Sequence, residues 1–275
     1  MPLTLIRHVR RNRRCRPCGP ALLVAAALLV ANTTAGAQGA ATSPSSQPEG
    51  MNLVLGLKLW QSQFSIQIPF PVTVGGERLT PVESEAALVF IPQLSLRYRD
   101  WVATLSTQIA KDYSILFYDG SSLLTIGRSE VDFNLGYYVV PGLAASLGYK
   151  RFKLKLDNAT DSFTGPTFGL SGTAPLGSDL SLYAAAGFAS LKDSAPARAG
   201  LASPGSRAKY QLTEVGLAYA LSGASIARTA GLTLGYRTQT LKAPTTLRGT
   251  TPGSSYKADA RHQSSGVTLG LVAAF

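Results

Sequence analysis

From Met51 onward, apolar and polar residues change places at every second position, and a chain with that period can turn only one face of each segment toward an apolar surrounding. Leu53, Leu55, Leu57 and Leu59 alternate with Val54, Gly56, Lys58 and Trp60. Leu94, Leu96 and Tyr98 alternate with Gln93, Ser95 and Arg97, and Trp101, Ala103, Leu105, Thr107 and Ile109 with Thr104, Ser106 and Gln108. The same pattern places Val131, Phe133, Leu135, Tyr137 and Val139 against Glu130, Asp132, Asn134 and Gly136. It recurs at Leu143 to Lys150, Leu180 to Phe188, Glu214 to Leu221, Leu232 to Arg237 and Gly266 to Phe275. A weaker tenth segment, Pro166 to Ala174, has Phe168 and Leu170 on one face and Thr167, Gly169 and Ser171 on the other. Each segment is close to the ~9–11 residues that a tilted strand needs to cross a bilayer. None keeps a helical period, so a chain of this kind in lipid must close its backbone hydrogen bonds as a barrel. The expectation is an all-β fold: a transmembrane antiparallel up-and-down β-barrel of about ten strands over residues 51–275.

The spacing between segments supports this. Arg99-Asp100, Val140-Pro141-Gly142, Pro175 to Asp179 and Ser222 to Ser225 are short connections. Residues 61–87, 112–125, 155–164, 190–208 and 240–261 are long. Short turns at one end and long loops at the other are the habit of membrane barrels, and both termini then fall at the short-turn end, which requires an even strand count.

Residues 1–37 read as a secretory signal peptide. Arg7, Arg10, Arg11, Arg13, Arg14 and Arg16 precede an apolar run from Ala21 to Ala31, and Ala35-Gly36-Ala37 has the form of a cleavage site. The apolar run is too short for a spanning helix. Residues 38–50 read as a disordered, polar lead-in. The formal charge of +11 belongs largely to the leader. Loss of its six arginines takes Lys+Arg from 26 to 20 against 15 Asp+Glu, leaving about +5. Nucleic acid is therefore not an expected partner. Cys15 and Cys18 both lie in the leader, so no disulfide, thiol chemistry or lipidated cysteine is expected beyond it, and the remaining residues call for no cofactor and no metal.

The chain stops at Phe275, on the apolar parity of a final strand. This resembles the C-terminal signature of bacterial outer-membrane β-barrels, a superfamily in which a terminal aromatic marks the chain for insertion. The resemblance extends over residues 51–275 as a pattern. It implies a place in the Gram-negative outer membrane, with outer-membrane lipid, lipopolysaccharide and the barrel-assembly machinery as partners. A periplasmic β-sandwich also alternates, but it needs neither the long-short rhythm nor a terminal Phe.

If the Leu, Tyr and Phe face meets lipid, Lys58, Arg97, Glu130, Asp132, Lys150, Glu214 and Arg237 line the lumen. A hairpin centred on Pro141 sets Asp132 across from Lys150, and one centred near Ser225 brings Glu214 level with Arg237. An unpaired charge inside a narrow barrel is costly, so these are expected to form lumen ion pairs. About ten strands leave little more than room for side chains, which favours a polar plug over a wide channel. Gly56, Gly136, Gly148, Gly187, Gly216, Gly235, Gly266 and Gly270 share the inward parity, either to relieve crowding in a curved wall or to leave a small ligand cavity. Tyr98, Trp101, Tyr137, Tyr149, Tyr219 and Tyr236 are placed for an interfacial girdle.

Chemistry is sparse. The one histidine beyond the leader, His262, lies two residues from Ser264 and close to Asp259. The set weakly resembles the pair used by outer-membrane lipid A deacylases, but its inward parity turns it away from lipid. A single histidine without an adjoining acidic cluster also departs from the pattern of the ten-stranded omptin-type proteases. Lys192, Arg198, Arg207 and Lys209, with Lys242, Arg248, Lys257 and Arg261, make the expected outer loops basic and suit them to lipopolysaccharide phosphates. The function expected is a structural or narrow-pore barrel. A surface adhesin or ligand-binding barrel comes second and a lipid A-modifying acyl hydrolase third.

Overall fold

The computed structural model describes residues 50–67, 82–116, 123–156, 159–194, 205–221, 227, 229–248 and 255–275. The expected signal peptide and nearly all of the lead-in lie outside the described residues. The strands are β1 (Met51–Gln67), β2 (Val82–Glu83), β3 (Ala87–Tyr98), β4 (Trp101–Leu116), β5 (Leu123–Val140), β6 (Leu143–Leu156), β7 (Ala159–Pro175), β8 (Leu180–Asp193), β9 (Arg207–Leu221), β10 (Thr229–Arg248) and β11 (Ser255–Ala274). β2 is a two-residue piece laid against the end of β1. The other ten form the wall, each antiparallel to the next, and β11 returns to β1 with Val54 opposite Ala274 through to Gln67 opposite Arg261. The result is a closed ten-strand barrel.

Tight turns hold the end where both β1 begins and β11 finishes. Tyr98 and Trp101 pair across Arg99-Asp100, with Arg99 in the left-handed region at φ 52°. Gly142 turns the next hairpin at φ 82°, where a Cβ would stand 2.7 Å from the carbonyl oxygen of Thr173. A side chain there would meet both backbone strain and a backbone atom that cannot move aside. At the seam, the Phe275 amide donates to the Leu53 carbonyl at 2.8 Å and the Leu53 amide donates back at 3.3 Å.

Around the half of the wall nearest these turns, the outward side chains are apolar and exposed. They include Leu53, Leu55 and Leu57 on β1, Leu94 and Leu96 on β3, Phe133 and Leu135 on β5, Leu232 and Leu234 on β10, and Leu269 and Leu271 on β11. A continuous ring of this size is untenable in water and marks the surface that meets lipid. Trp101 and Tyr137 pack at its lower rim with ring centroids 5.0 Å apart and planes tilted by 60°, at the level where interfacial aromatics sit.

Beyond that belt the wall continues but its polarity inverts. Gln61, Gln63, Arg151, Lys155, Lys209, Lys242 and Arg261 point outward. Phe64, Ile66, Tyr113, Ile126, Phe152, Leu154, Leu191 and Leu241 point inward and pack into one buried apolar cluster. Part of each segment expected as a long loop is therefore strand. β1 runs on to Gln67, β6 and β7 remain paired to Leu156 and Ala159, and β10 and β11 remain paired to Arg248 and Ser255. The two-residue period persists through these stretches with its sign reversed, so a search for outward apolar residues ends where the belt ends. On β4 a bulge adds to the effect. Gln108 pairs Glu130 while Lys111 pairs Arg128, so two residues oppose one, and Tyr113 and Ile115 turn inward on the parity that carries Ile109 outward.

The inversion predicts two different costs on one strand face. Leu234→Arg, within the belt of β10, should destabilise the barrel by ~2–4 kcal/mol. Thr240→Arg, six residues further and outward in the polar zone, should stay within about 0.5 kcal/mol. Urea unfolding of both variants in lipid vesicles measures the difference; equal costs would move the lipid boundary.

Candidate functional site

Parity decides which polar side chains enter the lumen, and the register between strands decides which of them meet. Two carboxylates become hubs. Glu214, on β9, stands directly opposite Arg237 on β10 and receives its Nη1 at 3.3 Å. Lys58 reaches the same carboxylate from β1, with Nζ 2.5 Å from Oε1. Tyr183 donates its hydroxyl to Oε1 at 3.0 Å, and Thr268 approaches at 3.5 Å. The second hub is Glu130 on β5. Lys150 lies 2.6 Å from its Oε2, Arg128 Nε donates to Oε1 at 3.0 Å, and Tyr210 donates its hydroxyl to Oε2 at 3.3 Å. Lys150 is shared, because it also sits 2.7 Å from Oδ2 of Asp132, its direct cross-strand partner.

Aromatic rings tie the hubs together. Trp60 is fully buried, and the guanidinium centres of Arg128 and Arg237 lie 5.8 and 5.3 Å from its ring centroid. Arg128 also lies over Phe152 at 4.8 Å, and Lys150 over Tyr210 at 4.4 Å. Buried charges survive only when paired and hydrogen-bonded, and here each carboxylate hub faces two cations and at least one hydroxyl. Above this layer the lumen is the apolar cluster, so the lining is polar only through part of its height.

Of the residues singled out from sequence, the structure brings Asp132, Lys150 and Glu130 into one group and Lys58, Glu214 and Arg237 into another. Arg97 stands apart at the tight-turn end, where its guanidinium lies 4.6 Å from the Tyr138 ring centroid and its Nε donates to the Arg99 carbonyl at 3.3 Å. Arg128, Gln239, Tyr183 and Tyr210 were not foreseen. Arg128 shares the inward parity of Glu130 and Asp132, and that continued alternation is the signal that points to it. Tyr183 had a signal too. It stands opposite Gly216, and Gly216 opposite Gly235, so a Cβ on Gly216 would come within 2.8 Å of the Tyr183 ring. These two inward glycines make room for a side chain; they do not line a ligand cavity.

The His262, Ser264 and Asp259 set does not assemble. His262 and Ser264 face the lumen and are buried, whereas Asp259 points outward. Ser264 Oγ accepts a hydrogen bond from Arg128 Nη1, and His262 stacks on Phe64 at 6.1 Å. His262 lies beyond the lipid belt, where burial, with the Arg128 charge alongside, holds its imidazole down at about 4. It is neutral at physiological pH and aimed into packed side chains. Among the described residues no cluster of histidine, cysteine and carboxylate groups suits a metal ion.

No protein-family model matches the chain, and no curated protein sequence does. Solved structures are similar to it in overall form. The outer-membrane protease OmpT of Escherichia coli shares 14% identity, with 85% of this chain and 100% of that one covered, at a TM-score of 0.46. A FadL homologue of Pseudomonas aeruginosa shares 11%, covering 90% and 98%, at 0.36, and AlkL in lipid bilayers shares 13%, covering 85% and 94%, at 0.38. At these values the likeness carries neither an activity nor a family to this chain. By its closed wall and its belt of exposed outward apolar side chains, the chain is a membrane-spanning ten-strand β-barrel.

Two expectations follow from the charges. Glu214→Ala strands Lys58 and Arg237 without their shared carboxylate and should cost ~3–5 kcal/mol. Asp132→Ala should cost clearly less, because Lys150 keeps Glu130, and adding Lys150→Ala to Asp132→Ala should cost less than the sum of the singles in urea unfolding. Equal losses for Glu214→Ala and Asp132→Ala would show that Glu214 is no hub.

Beyond the belt, Asp161 is buried on β7 close to Asp193 on β8. Burial, with the Asp193 charge added, pushes its carboxyl up to about 6. A raised folded-state value means that ionisation opposes folding, so this destabilisation is absent below about 4 and complete above about 6. Asp161→Asn should therefore raise the melting temperature at pH 8 and leave it unchanged at pH 3. The reverse order would show that Asp161 is stabilised as the carboxylate.

Proposed function

We propose that this protein is a sealed outer-membrane barrel, structural in role and without a steady open channel, whose contacts are made by its outer surface and extracellular end. One observation carries this reading. Two successive layers of buried side chains support it, first the ion-paired residues around Glu214 and Glu130 and then the apolar cluster around Phe64, Phe152 and Leu154. An ion crossing the first layer would have to displace paired charges from one another, and crossing the second it would shed its water into an apolar interior.

The alternative of a ligand-binding barrel finds support in the aromatic lining of the upper lumen. The fully buried state of Trp60, Phe64 and Leu154 speaks for packing instead. An acyl hydrolase finds no support in the placement of Asp259. We propose also that Phe275, hydrogen-bonded to Leu53 at the seam, serves as the insertion signal read by the barrel-assembly machinery.

Planar-bilayer recording of the refolded chain tests the proposal. No steady conductance is expected at neutral pH and moderate salt, whereas discrete, long-lived current steps would make the barrel a pore and remove the plug.

A further inference from the structure

At the mouth remote from the tight turns, the inner face of β7, β8 and β9 ends in three oxygen-bearing side chains. Phe163 on β7 stands opposite Asp193 on β8, so Asp161, two residues nearer the mouth, is the diagonal inward neighbour of Asp193. The Asp193 amide donates to the Ser206 carbonyl at 2.9 Å. That bond carries the β8–β9 register one step past Lys192 and Arg207 and sets Ser206 across from Asp193. Beneath the three lie Leu154, Phe163, Leu191 and Ala208 of the apolar cluster.

Asp161 and Asp193 are each 2% exposed. Glu130 and Glu214 are as deeply buried, but each has two cations against it. Among the described residues Asp161 forms no ion pair. Lys153 and Lys155 on β6, Lys192 on β8 and Arg207 on β9 all take the outward parity. Asp161 Oδ2 has no hydrogen-bond partner and neither has Ser206 Oγ, though both atoms are closed off from solvent.

A carboxylate buried beside another is costly unless positive charge lies between them. A proton shared by the two carboxyl groups would answer the charge but leave the Ser206 oxygen unused, whereas one cation answers all three oxygens at once. Diagonal neighbours on a sheet lie about 7–8 Å apart and direct ones about 5 Å, within reach of side chains converging on one ion. The donors are all oxygen, without sulfur or imidazole, which selects a hard cation. Three side chains from separate strands make an irregular set. Calcium accepts such a set and completes about six to eight ligands with carbonyls and water, whereas magnesium demands a regular octahedron. The described residues hold no group of three or more histidine, cysteine or carboxylate side chains placed for a metal, so backbone oxygen and water must supply the remaining ligands.

We infer that Asp161, Asp193 and Ser206 bind a calcium ion at this mouth of the barrel, tying β7, β8 and β9 together above the apolar cluster. The site does not depend on whether the lumen conducts, so its failure leaves the sealed-barrel reading standing.

The test uses the full chain refolded in zwitterionic detergent micelles, with folding followed by heat-modifiable mobility. Calorimetric titration with calcium chloride should show one site with a Kd on the order of 10⁻⁴–10⁻³ M. Saturating calcium should raise the melting temperature at pH 8 above its value in EDTA. Asp161→Asn and Asp193→Asn should each weaken binding by about tenfold or more, and Ser206→Ala by a smaller factor. Asp259→Asn, on the outward face, should bind as the wild type does. In EDTA, Asp161→Asn keeps its higher melting temperature at pH 8, so a folded variant that has lost the calcium response separates the ion from the fold. No calcium response by the folded wild type, or an undiminished one in Asp161→Asn, would overturn the inference in favour of a shared proton. Equal stabilisation by sodium chloride at matched ionic strength would overturn it as charge screening. Magnesium bound as tightly as calcium would overturn the choice of ion.

Discussion

Residues Val54 to Gln67 on β1 hydrogen-bond to Arg261 to Ala274 on β11, and that ladder leaves neither end strand of the wall with an open edge. In hydrocarbon each unpaired amide or carbonyl costs several kcal/mol, so every other feature of the molecule depends on this seam. It fixes the number of strands, and with it the width of the lumen. A ten-strand lumen is narrow enough for side chains from opposite walls to touch, which is how Lys58 on β1 reaches Glu214 on β9.

Once the wall is closed, two environments demand opposite things of it. Within the belt the outside is lipid and the inside must take the polar residues. Beyond the belt the outside is water and the inside can be an ordinary apolar core. The switch occurs within single strands, as on β1, where Leu57 points to lipid and Phe64 into the barrel. The bulge at Gln108 to Lys111 lets β4 make the same change by shifting its parity. Charged residues collect just below the switch, where neither solvent is available and mutual pairing is the only way to hold them.

If the barrel is sealed, that layout moves function away from the lumen. Glu130 and Glu214 are committed to their cations, His262 is packed against Phe64, and Tyr183 fills the space left by Gly216. Above the belt the outer wall exposes Arg151 and Lys155 on β6, Lys209 on β9, Lys242 on β10 and Arg261 on β11, with carboxylates at Glu83, Asp112 and Asp259.

The sequence alone determined the fold class, because a two-residue period is a local property and closure follows from the absence of any helical alternative. It also determined which side chains go inward in the belt: once Val131 and Phe133 face lipid, Asp132 has no other direction, and the Pro141 turn sets Lys150 across from it. The upper half of the wall was harder to read, since the alternation of Phe64 with Gln63 means the reverse of the alternation of Leu57 with Lys58, and nothing local marks where one solvent gives way to the other. Only the tertiary structure decided that Arg128 joins Glu130, that Lys58 crosses to Glu214 and that Asp259 turns away from His262. Those meetings depend on the stagger between strands far apart in the chain and on one bulge, and both emerge only when the barrel closes.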